Sequence, residues 1–448
     1  MEISPSMQVC MSLLASANMI TSGMTVAYPA VALPAMNQSN SGLELTNDQS
    51  SWIASVSHLT MIVGSVALGP ILDKWGRRLG FIVTGVSSLL GWIIIGMMPQ
   101  SLSCLYIGRL LNGLGACSVV TSVFMAEVTS PAIRNILTVF KNTSFSVGLT
   151  FMYLLGITFR DNWSAMALFG AIIPLVCLVS ALFILPESSV WHENQNNIKK
   201  RCTYSELYKA YRKRPEVYKP MNIMNSLLIL RQLSGTSVIL TYAINLVEVA
   251  GVGGDPHVVT VLLGVTRIIA GLVGCALSGW LGRRIPVSWS GALMSVTMLW
   301  LARNITADNQ DNSTYADTIV LIIFMFSSTI FSSICQALVG EVFPTDVRGL
   351  CTGLSTCLSY LSSFIAVKLY PELLTYLGRT NLFLMYGTFC VFGTLIAILT
   401  LPETKDKSLT EIQALFTKNN TAVLTETKDS VACSPVEVEL LVLPTNNR

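Results

Sequence analysis

The stretch GPILDKWGRR, residues 69–78, ends a long apolar run with small, acidic and basic side chains in a set order. Gly69 would let a neighbouring helix approach closely. Asp73 puts a carboxylate at the edge of an apolar segment, where a charge needs a partner. Arg77 and Arg78 can supply that partner or anchor the loop to anionic lipid headgroups. Anchoring alone explains the arginines but not the Gly, Asp, Gly spacing, so we predict an ion-pair site here.

The composition of the whole chain favours lipid as its solvent. Hydrophobic residues make up 52% of the 448 residues and charged residues only 12%, whereas soluble proteins carry about 25% charged residues. A helix needs about 20 mostly apolar residues to cross a bilayer. Twelve stretches qualify, at roughly 8–34, 51–72, 79–98, 101–125, 135–157, 163–185, 218–248, 257–281, 286–303, 316–340, 349–371 and 380–401. We predict an all-α membrane protein with twelve transmembrane helices, called spans 1 to 12 below.

The positive charges predict how the spans are oriented. Lysines and arginines cluster after spans 2, 4, 6, 8 and 10, and few lie in the alternate segments. Because cytoplasmic loops carry the excess of these residues, both termini and the segment between spans 6 and 7 are predicted to be cytoplasmic. We expect the protein to be integral to the plasma membrane. No lysine or arginine precedes span 1, so a cleaved signal peptide is not expected. The clustered cations include Lys74, Arg77, Arg78, Arg134, Lys141, Arg283, Arg284 and Arg348.

Three motifs recur in the second part of the chain in the same order. The pairs are AEVTSPAIRN (126–135) with GEVFPTDVRG (340–349), LPESS (185–189) with LPETK (401–405), and DKWGRR (73–78) with GWLGRR (279–284), at spacings of 214, 216 and 206 residues. This repeat predicts two pseudo-symmetric six-helix halves with a substrate site at the midplane between them.

The repeat also predicts the domain organisation. The first half covers residues 1–186 and the second half 218–403. A cytoplasmic linker with short helices joins them at 187–217, and a mostly disordered cytoplasmic tail follows at 404–448.

Charges within the repeated motifs predict a gate on the cytoplasmic side. Glu127 and Arg134, like Glu341 and Arg348, lie seven residues apart around a proline, so each pair brackets a turn and can form an ion pair. The predicted gate residues are Asp73, Arg77, Arg78, Arg109, Glu127, Arg134, Glu187, Glu341, Arg348 and Glu403. Such a charge network would close the cytoplasmic entrance to the site.

The set of motifs resembles the sugar porter family of the major facilitator superfamily, and is most similar to the insect facilitated trehalose or hexose transporters. The resemblance covers about residues 10–416, and its motifs are GPILDKWGRR, GRLLNGLG, AEVTSPAIR, LPESS, RQLSGTSVILTYA (231–243), GEVFPTDVRG and LPETKDKSLTEI (401–412). It implies the major facilitator fold and facilitative carbohydrate transport by alternating access. The implied partners are a small solute, a sugar above all, and the lipid bilayer.

The resemblance also implies a substrate site, where the chain departs from the family pattern. The family usually has Gln-Gln-Leu-Ser-Gly in span 7, whereas this chain has Arg231 before Gln232. Arg267 likewise stands where the family has an asparagine or glutamine in span 8. The implied site residues are Asn142, Arg231, Gln232, Ser237, Tyr242, Arg267, Gln336 and Ser359. In the second half, Gly279 replaces the aspartate of the gate motif, which argues against a symmetric gate.

Two interpretations of Arg231 and Arg267 stay open. Each arginine costs roughly 2.5–3.5 kcal/mol at the centre of a span, so neither is expected to face lipid. They could bind an anionic or strongly hydrogen-bond-accepting substrate, because a guanidinium presents a fork of donors that suits a carboxylate or phosphate. Alternatively, each could pair with a carbonyl or carboxylate inside the bundle, or only line a wet cavity.

Two alternatives to sugar transport remain at this point. The arginine pair favours a transporter of the same fold for an organic acid or another anion. A sensor that keeps the sugar porter fold is the other, although the short polar segment at 417–448 argues against it. Span 1 contains no aspartate or glutamate, whereas proton-coupled members of the family typically carry an acid there, so a uniporter is predicted.

The remaining features suggest one modification and no chemistry. Asn304 and Asn312 lie in sequons of a loop predicted to be outside, which makes them candidate glycosylation sites. With three histidines, no paired nucleophile and base and no phosphate-cradling loop, the chain is not expected to be an enzyme. No catalytic residue, cofactor, metal or nucleic acid is expected. The oligomeric state stays open, and a monomer is plausible.

Overall fold

Membrane-crossing helices make up nearly all of the chain that the computed structural model describes. The described residues are 5–37, 45–129, 131–188, 191, 211, 214–250, 254–306, 315–344, 347–405, 407, 411 and 415–416, and the side chains of 5–6, 131–139 and 305–306 are not included. Most of the predicted linker and tail therefore lies outside the described residues, as do Asn312 and the side chain of Arg134.

The helices reproduce the predicted spans to within a few residues. Spans 1 to 6 are Pro5–Met36, Asn47–Trp75, Arg77–Met97, Leu102–Gly115 with Val119–Val128, Pro131–Thr158, and Trp163–Gly170 with Ile172–Phe183. Span 7 consists of Pro215–Arg231, Gln232–Thr236, Ser237–Thr241 and Ala243–Val249. Spans 8, 9 and 10 are Pro256–Leu281, Arg284–Thr306 and Tyr315–Val342, and spans 11 and 12 share Arg348–Thr400, which is broken at Gly378. The predicted all-α fold with twelve spans is confirmed.

Two glycines make the tight connections that the repeated motif requires. Gly76 joins spans 2 and 3 with a φ of 97°, and Gly282 joins spans 8 and 9 with a φ of 84°. Residues with a Cβ rarely adopt such angles. A Cβ at either position would also collide with the carboxylate of Glu187 or Glu403. The glycines of WGRR and LGRR are therefore needed both for the turn and for the approach of a carboxylate.

Small residues bring the helices of one half together. Gly23 of span 1 and Gly148 of span 5 lie where the two helices are in contact, and a Cβ on either would overlap the partner's backbone at Phe145 or Ile20. Close backbone approach of this kind is how helices associate in a bilayer, where burial from water contributes little between them.

The two halves meet through matching helix pairs. Span 2 packs against span 11 and span 5 against span 8, with smaller contacts between spans 1 and 7. Trp52 and Phe364 mark the first pair, with ring centroids 6.1 Å apart. Because the repeat relates span 2 to span 8 and span 5 to span 11, the two interfaces are equivalent by pseudo-symmetry, and the space between them is central.

The helix ends form two faces. We call the side where spans 2, 4, 8 and 10 end and spans 3, 5, 9 and 11 begin the basic face, because it carries Arg77, Arg78, Arg283, Arg284 and Arg348. The other side, where spans 1, 3, 5 and 7 end, is the opposite face.

Candidate functional site

A cavity of about 200 Å³ lies between the two halves. Seven of the eight predicted substrate-site residues line it, namely Asn142, Arg231, Gln232, Ser237, Arg267, Gln336 and Ser359. The eighth, Tyr242, is not among the lining residues, and its ring lies against Tyr370 with centroids 4.7 Å apart. The structure thus brings together side chains from spans 5, 7, 8, 10 and 11.

Span 7 changes its helical form where it borders the cavity. Gln232–Thr236 forms a π-helical turn, within which Gly235 has a φ of 86°. The ring of Tyr386 packs so closely on Gly235 that a Cβ would contact it at 2.8 Å. Such turns inside α-helices are frequent at functional sites because they re-aim the adjoining side chains. Here Gln232 begins the turn, and Arg231 and Ser237 flank it.

A hydrogen-bond network connects span 7 with spans 10 and 11. Arg231 donates from Nη1 to Ser332 Oγ at 2.5 Å and from Nη2 to Ser359 Oγ at 3.4 Å. Gln232 Nε2 donates to the same Ser359 oxygen at 2.9 Å, and Ser237 donates to Gln232 Oε1. Ser332 was not predicted. A serine in a serine-rich apolar span gives no distinct sequence signal.

Two further cations border the cavity. Arg267 is only 6% exposed, and its guanidinium lies 5.9 Å from the ring centre of Phe145, while its Nε and Nη1 have no hydrogen-bond partner. Lys141 donates to Ser122 Oγ at 2.8 Å. It lies within span 5, which begins at Pro131, so counting it among the loop cations was wrong. The sequence signal for this cavity residue is a single lysine inside an apolar run.

The cavity lining is therefore positively charged. Arg231, Arg267 and Lys141 all border it, and of the described residues that line it none is an aspartate or glutamate. His58 borders it from span 2, and the Tyr360 hydroxyl, 3.0 Å from Ser118 Oγ, joins the two halves beside it.

A first ion-pair cluster lies on the basic face within the first half. Arg77 is 5% exposed and donates from Nε and Nη2 to the carboxylate of Glu127, at 2.5 to 3.1 Å, and from Nη1 to the carbonyl of Leu72. Asp73 lies 3.4 Å from Arg77 Nη2. Glu187 accepts from the backbone N–H of Arg77 at 2.7 Å. Arg78 contributes its backbone N–H to Glu187 and its side chain to the carbonyls of Ala181 and Leu182.

A second cluster repeats this arrangement in the second half. Arg283 donates to Glu341 at 2.7 Å, and Glu403 accepts from the backbone N–H of Arg283 at 2.9 Å and of Arg284 at 3.1 Å. Burial of Glu403 opposes ionisation, but these N–H donors hold its pKa below the usual value. The arginine–glutamate pair and the backbone N–H bonds to a glutamate thus recur in both halves. The contact of Asp73 with Arg77 does not recur, because Gly279 replaces the aspartate, which agrees with the expected asymmetry. Arg283, equivalent to Arg77 in the repeat, was missed as a cluster residue.

The described partners of the two glutamates are arginines that the sequence did not assign to them. Glu127 binds Arg77 and Glu341 binds Arg283. The side chain of Arg134 lies outside the described residues, so its pairing with Glu127 stays a prediction. Arg348 donates from Nε to the carbonyl of Phe343 at 3.2 Å. The first arginine of each GRR motif reaches the glutamate because spans 2 and 4, and spans 8 and 10, end on the same face.

Arg109 does not belong to the basic face, which corrects its assignment to the gate. Span 4 begins at the opposite face with Leu102, and Glu127 follows Arg109 by 18 residues, roughly 27 Å along a helix at 1.5 Å per residue. Arg109 is fully buried and donates to the carbonyls of Thr25 at 2.6 Å, Ile53 at 2.9 Å and Ala54 at 3.3 Å. It therefore ties span 4 to spans 1 and 2.

Ion pairs between the halves lie on the opposite face. Lys368 of span 11 binds Asp48 at the start of span 2 at 2.5 Å, and its Nζ lies 4.5 Å above the ring of Trp52. Arg160, after span 5, binds Asp255, before span 8. The hydrogen bond from Arg160 holds the pKa of Asp255 below its usual value, so the carboxylate stays charged at neutral pH. We call these two pairs the latch.

The candidate glycosylation site has one described member. Asn304 ends span 9, and its Nδ2 donates to Asp317 of span 10 at 2.8 Å. Nδ2 is the atom to which a glycan would be attached, so modification would break this contact. The role of Asn304 stays a prediction.

The fold agrees with comparisons to known proteins. The family model of the Major Facilitator Superfamily matches residues 13–367. The facilitated trehalose transporter Tret1 of Anopheles gambiae is 25% identical over 444 residues, which cover 91% of this chain and 55% of that protein. Tret1 of Apis mellifera ligustica is 26% identical over 457 residues, covering 92% of this chain and 88% of that protein. The chain thus spans about half the length of some relatives and most of others.

Solved structures share the whole fold. A D-xylose-proton symporter has a TM-score of 0.72 at 18% identity, covering 89% of this chain and 98% of the other. The proton:xylose symporter XylE bound to 6-bromo-6-deoxy-D-glucose has a TM-score of 0.75 at 18% identity, covering 92% of this chain and 100% of the other. This chain is an integral membrane protein that belongs to the Major Facilitator Superfamily.

Proposed function

We propose that the chain is a facilitative carbohydrate transporter of sugar porter type that works by alternating access. The names of its relatives support a sugar as the solute. The single observation that carries the proposal is the central cavity, which both halves line with amide, hydroxyl and guanidinium groups able to bind sugar hydroxyls. No covalent step is needed, because the solute only changes sides.

The contacts between the halves suggest which side is closed in this structure. Both latch pairs join the halves at the opposite face. On the basic face, the ion pairs among the described residues each lie within one half. The cavity extends towards the basic face, since Lys141 near the start of span 5, Val339 near the end of span 10 and Thr352 near the start of span 11 all line it. The cavity is therefore accessible from the basic face.

The positive-inside rule supports a cytoplasmic position for the basic face and both termini. The described arrangement is then inward-facing, and the latch closes the outer side. Rocking of the two halves about the cavity would open the latch and bring the two basic-face clusters together. The proposed cytoplasmic gate consists of charged residues on the basic face. Among the described side chains these are Asp73, Arg77, Arg78, Glu127, Glu187, Glu341, Arg348 and Glu403. We propose the plasma membrane as the site of action.

The surroundings of Arg109 support a uniport mechanism. Its guanidinium is bound by three backbone carbonyls, two from span 2 and one from span 1. Span 1 contains no aspartate or glutamate, so it offers no carboxylate to carry a proton. Transport is therefore proposed to follow the solute gradient alone.

Uptake by cells that express the full chain tests the proposal. Labelled glucose and trehalose, with matched acidic sugars, are given to oocytes, and surface expression is measured in parallel. We expect saturable uptake of at least one sugar above uninjected cells. Gln232→Ala should reduce this uptake, whereas Arg303→Gln, on an exposed side chain outside the cavity, should leave it unchanged. Failure of every sugar to enter, with the protein at the surface, would contradict the proposal.

A further inference from the structure

We propose that the cavity selects a monosaccharide-sized sugar that carries an anionic group, a carboxylate or a phosphate. The inference rests on the proposed sugar transport and narrows its substrate class. It follows from the charge of the lining, since Arg231, Arg267 and Lys141 border the cavity without an acidic residue among the described lining residues. A buried charge needs a counter-charge, and here the solute is the available source of one.

The three cations converge from neighbouring helices of both halves. Lys141 comes from span 5, Arg231 from span 7 and Arg267 from span 8. Arg267 lies over the ring of Phe145, which is one helical turn beyond Lys141 on span 5. Arg231 and Arg267 line the same cavity. Two like charges repel, so an anion between them would stabilise both.

The hydrogen bonds of these cations leave capacity for a solute. The structure gives Arg231 two hydroxyl acceptors, Ser332 and Ser359, and its Nε has no partner. Arg267 has two nitrogen atoms without a partner, and its guanidinium lies 5.9 Å from the centre of the Phe145 ring. Hydroxyl groups accept less strongly than carboxylates or phosphates do, and a guanidinium fork suits the latter.

The rest of the lining fits the sugar part of such a solute. Gln232, Asn142 and Gln336 offer amide groups that both donate and accept, and Ser237 and Ser359 offer hydroxyls. The cavity, at about 200 Å³, is smaller than the roughly 300–1,000 Å³ of sites for drug-sized ligands. A single acidic sugar ring is therefore the expected occupant.

Uptake into proteoliposomes of the purified full chain tests this inference. The probes are labelled glucose, glucuronate and glucose 6-phosphate, and the last two distinguish a carboxylate from a phosphate. We expect at least one anionic sugar to enter faster than glucose. Because uncoupled entry of an anion moves negative charge inwards, an inside-positive potential should accelerate it and should leave glucose entry unchanged.

Single substitutions then locate the selectivity. Arg231→Gln and Arg267→Gln should each lower uptake of the anionic sugar about tenfold or more, as expected when a hydrogen bond to a charged group is lost. They should spare or raise glucose uptake. Arg303→Gln removes the same charge from an exposed position and should change neither.

Three results would overturn the inference and are distinguishable from one another. Uptake of glucose without uptake of, or competition by, either anionic sugar refutes the anionic selectivity and leaves sugar transport standing. Absence of uptake for all three sugars refutes sugar transport and the inference together. Unchanged selectivity in both arginine variants would show that the arginines do not contact the solute.

Discussion

Lys368 and Asp48 join the two halves of the molecule across its opposite face, with Nζ and Oδ1 2.5 Å apart. Lys368 also donates to Ser51 Oγ at 2.7 Å and lies over Trp52. One side chain of span 11 therefore contacts three residues near the start of span 2. On the basic face, by contrast, each described ion pair joins helices of the same half. The latch and the two clusters are thus the contacts expected to exchange when the halves rock.

Reversing one charge of the latch should favour the opposite orientation. Asp48→Lys places a second cation beside Lys368, and an exposed pair of this kind contributes up to about 1 kcal/mol, or about fivefold in population. We expect faster labelling of a cysteine introduced at Ser363, a cavity-lining residue, by an impermeant thiol reagent applied outside. Combining Asp48→Lys with Lys368→Asp should restore the slower rate.

A matched control separates the latch from general surface charge. Glu248→Lys reverses the charge of an exposed residue near the end of span 7, on the same face but outside the latch. Its labelling rate should equal that of the parent. Equal rates in Asp48→Lys and Glu248→Lys would show that the latch does not bias the two orientations.

Loss of Arg77 should destabilise the protein more than loss of Arg283. Removing one partner of a buried ion pair costs about 3–5 kcal/mol, because the other charge stays buried. The side chains of Arg77 and Glu127 are 6% and 14% exposed, against 12% and 23% for Arg283 and Glu341. The melting temperature in detergent should therefore fall more in Arg77→Ala than in Arg283→Ala. The reverse order would contradict our description of the first cluster as the more buried one.

Arg109→Gln should lower stability rather than change gating. The substitution removes donors to three buried carbonyls of spans 1 and 2, and each unsatisfied buried group costs about 1–3 kcal/mol. We expect a lower yield and a lower melting temperature, measured beside Arg303→Gln as the exposed control. A fully stable Arg109→Gln with slow turnover would instead support a direct role in the transport cycle.

Transport should not depend on a proton gradient. Proteoliposomes with and without an imposed pH gradient, at equal solute gradients, should give equal initial uptake, since span 1 lacks an acid and Arg109 binds carbonyls. Collapse of uptake on removal of the gradient would identify a coupled transporter.

The sequence was sufficient for the fold, because apolar length and the repeated motifs follow from simple physical requirements. Twelve apolar stretches predicted the spans to within a few residues, and DKWGRR with GWLGRR predicted equivalent turns. Seven of eight predicted site residues border one cavity, since the motif of span 7 fixes its register.

The sequence could not show at which level of the membrane a side chain lies, or with which residue it forms an ion pair. The motifs of span 4 predict a gate role for Arg109, whereas this residue lies seven positions after Leu102, where the span begins at the opposite face. Pairing within the clusters could not be predicted from nearness in sequence, because the described partner of Glu341 is Arg283, 58 residues earlier. Lys141 was read as a loop cation, although its helix begins ten residues earlier.

The most direct test of carbohydrate transport by alternating access is exchange in proteoliposomes of the purified chain. Vesicles are loaded with an excess of the unlabelled sugar, and a trace of the labelled sugar is added outside. The alternating cavity predicts a transient accumulation of label inside, abolished in Gln232→Ala and kept in Arg303→Gln. Label that never exceeds the level of protein-free vesicles, for every sugar that the relatives or the cavity suggest, would contradict the central claim.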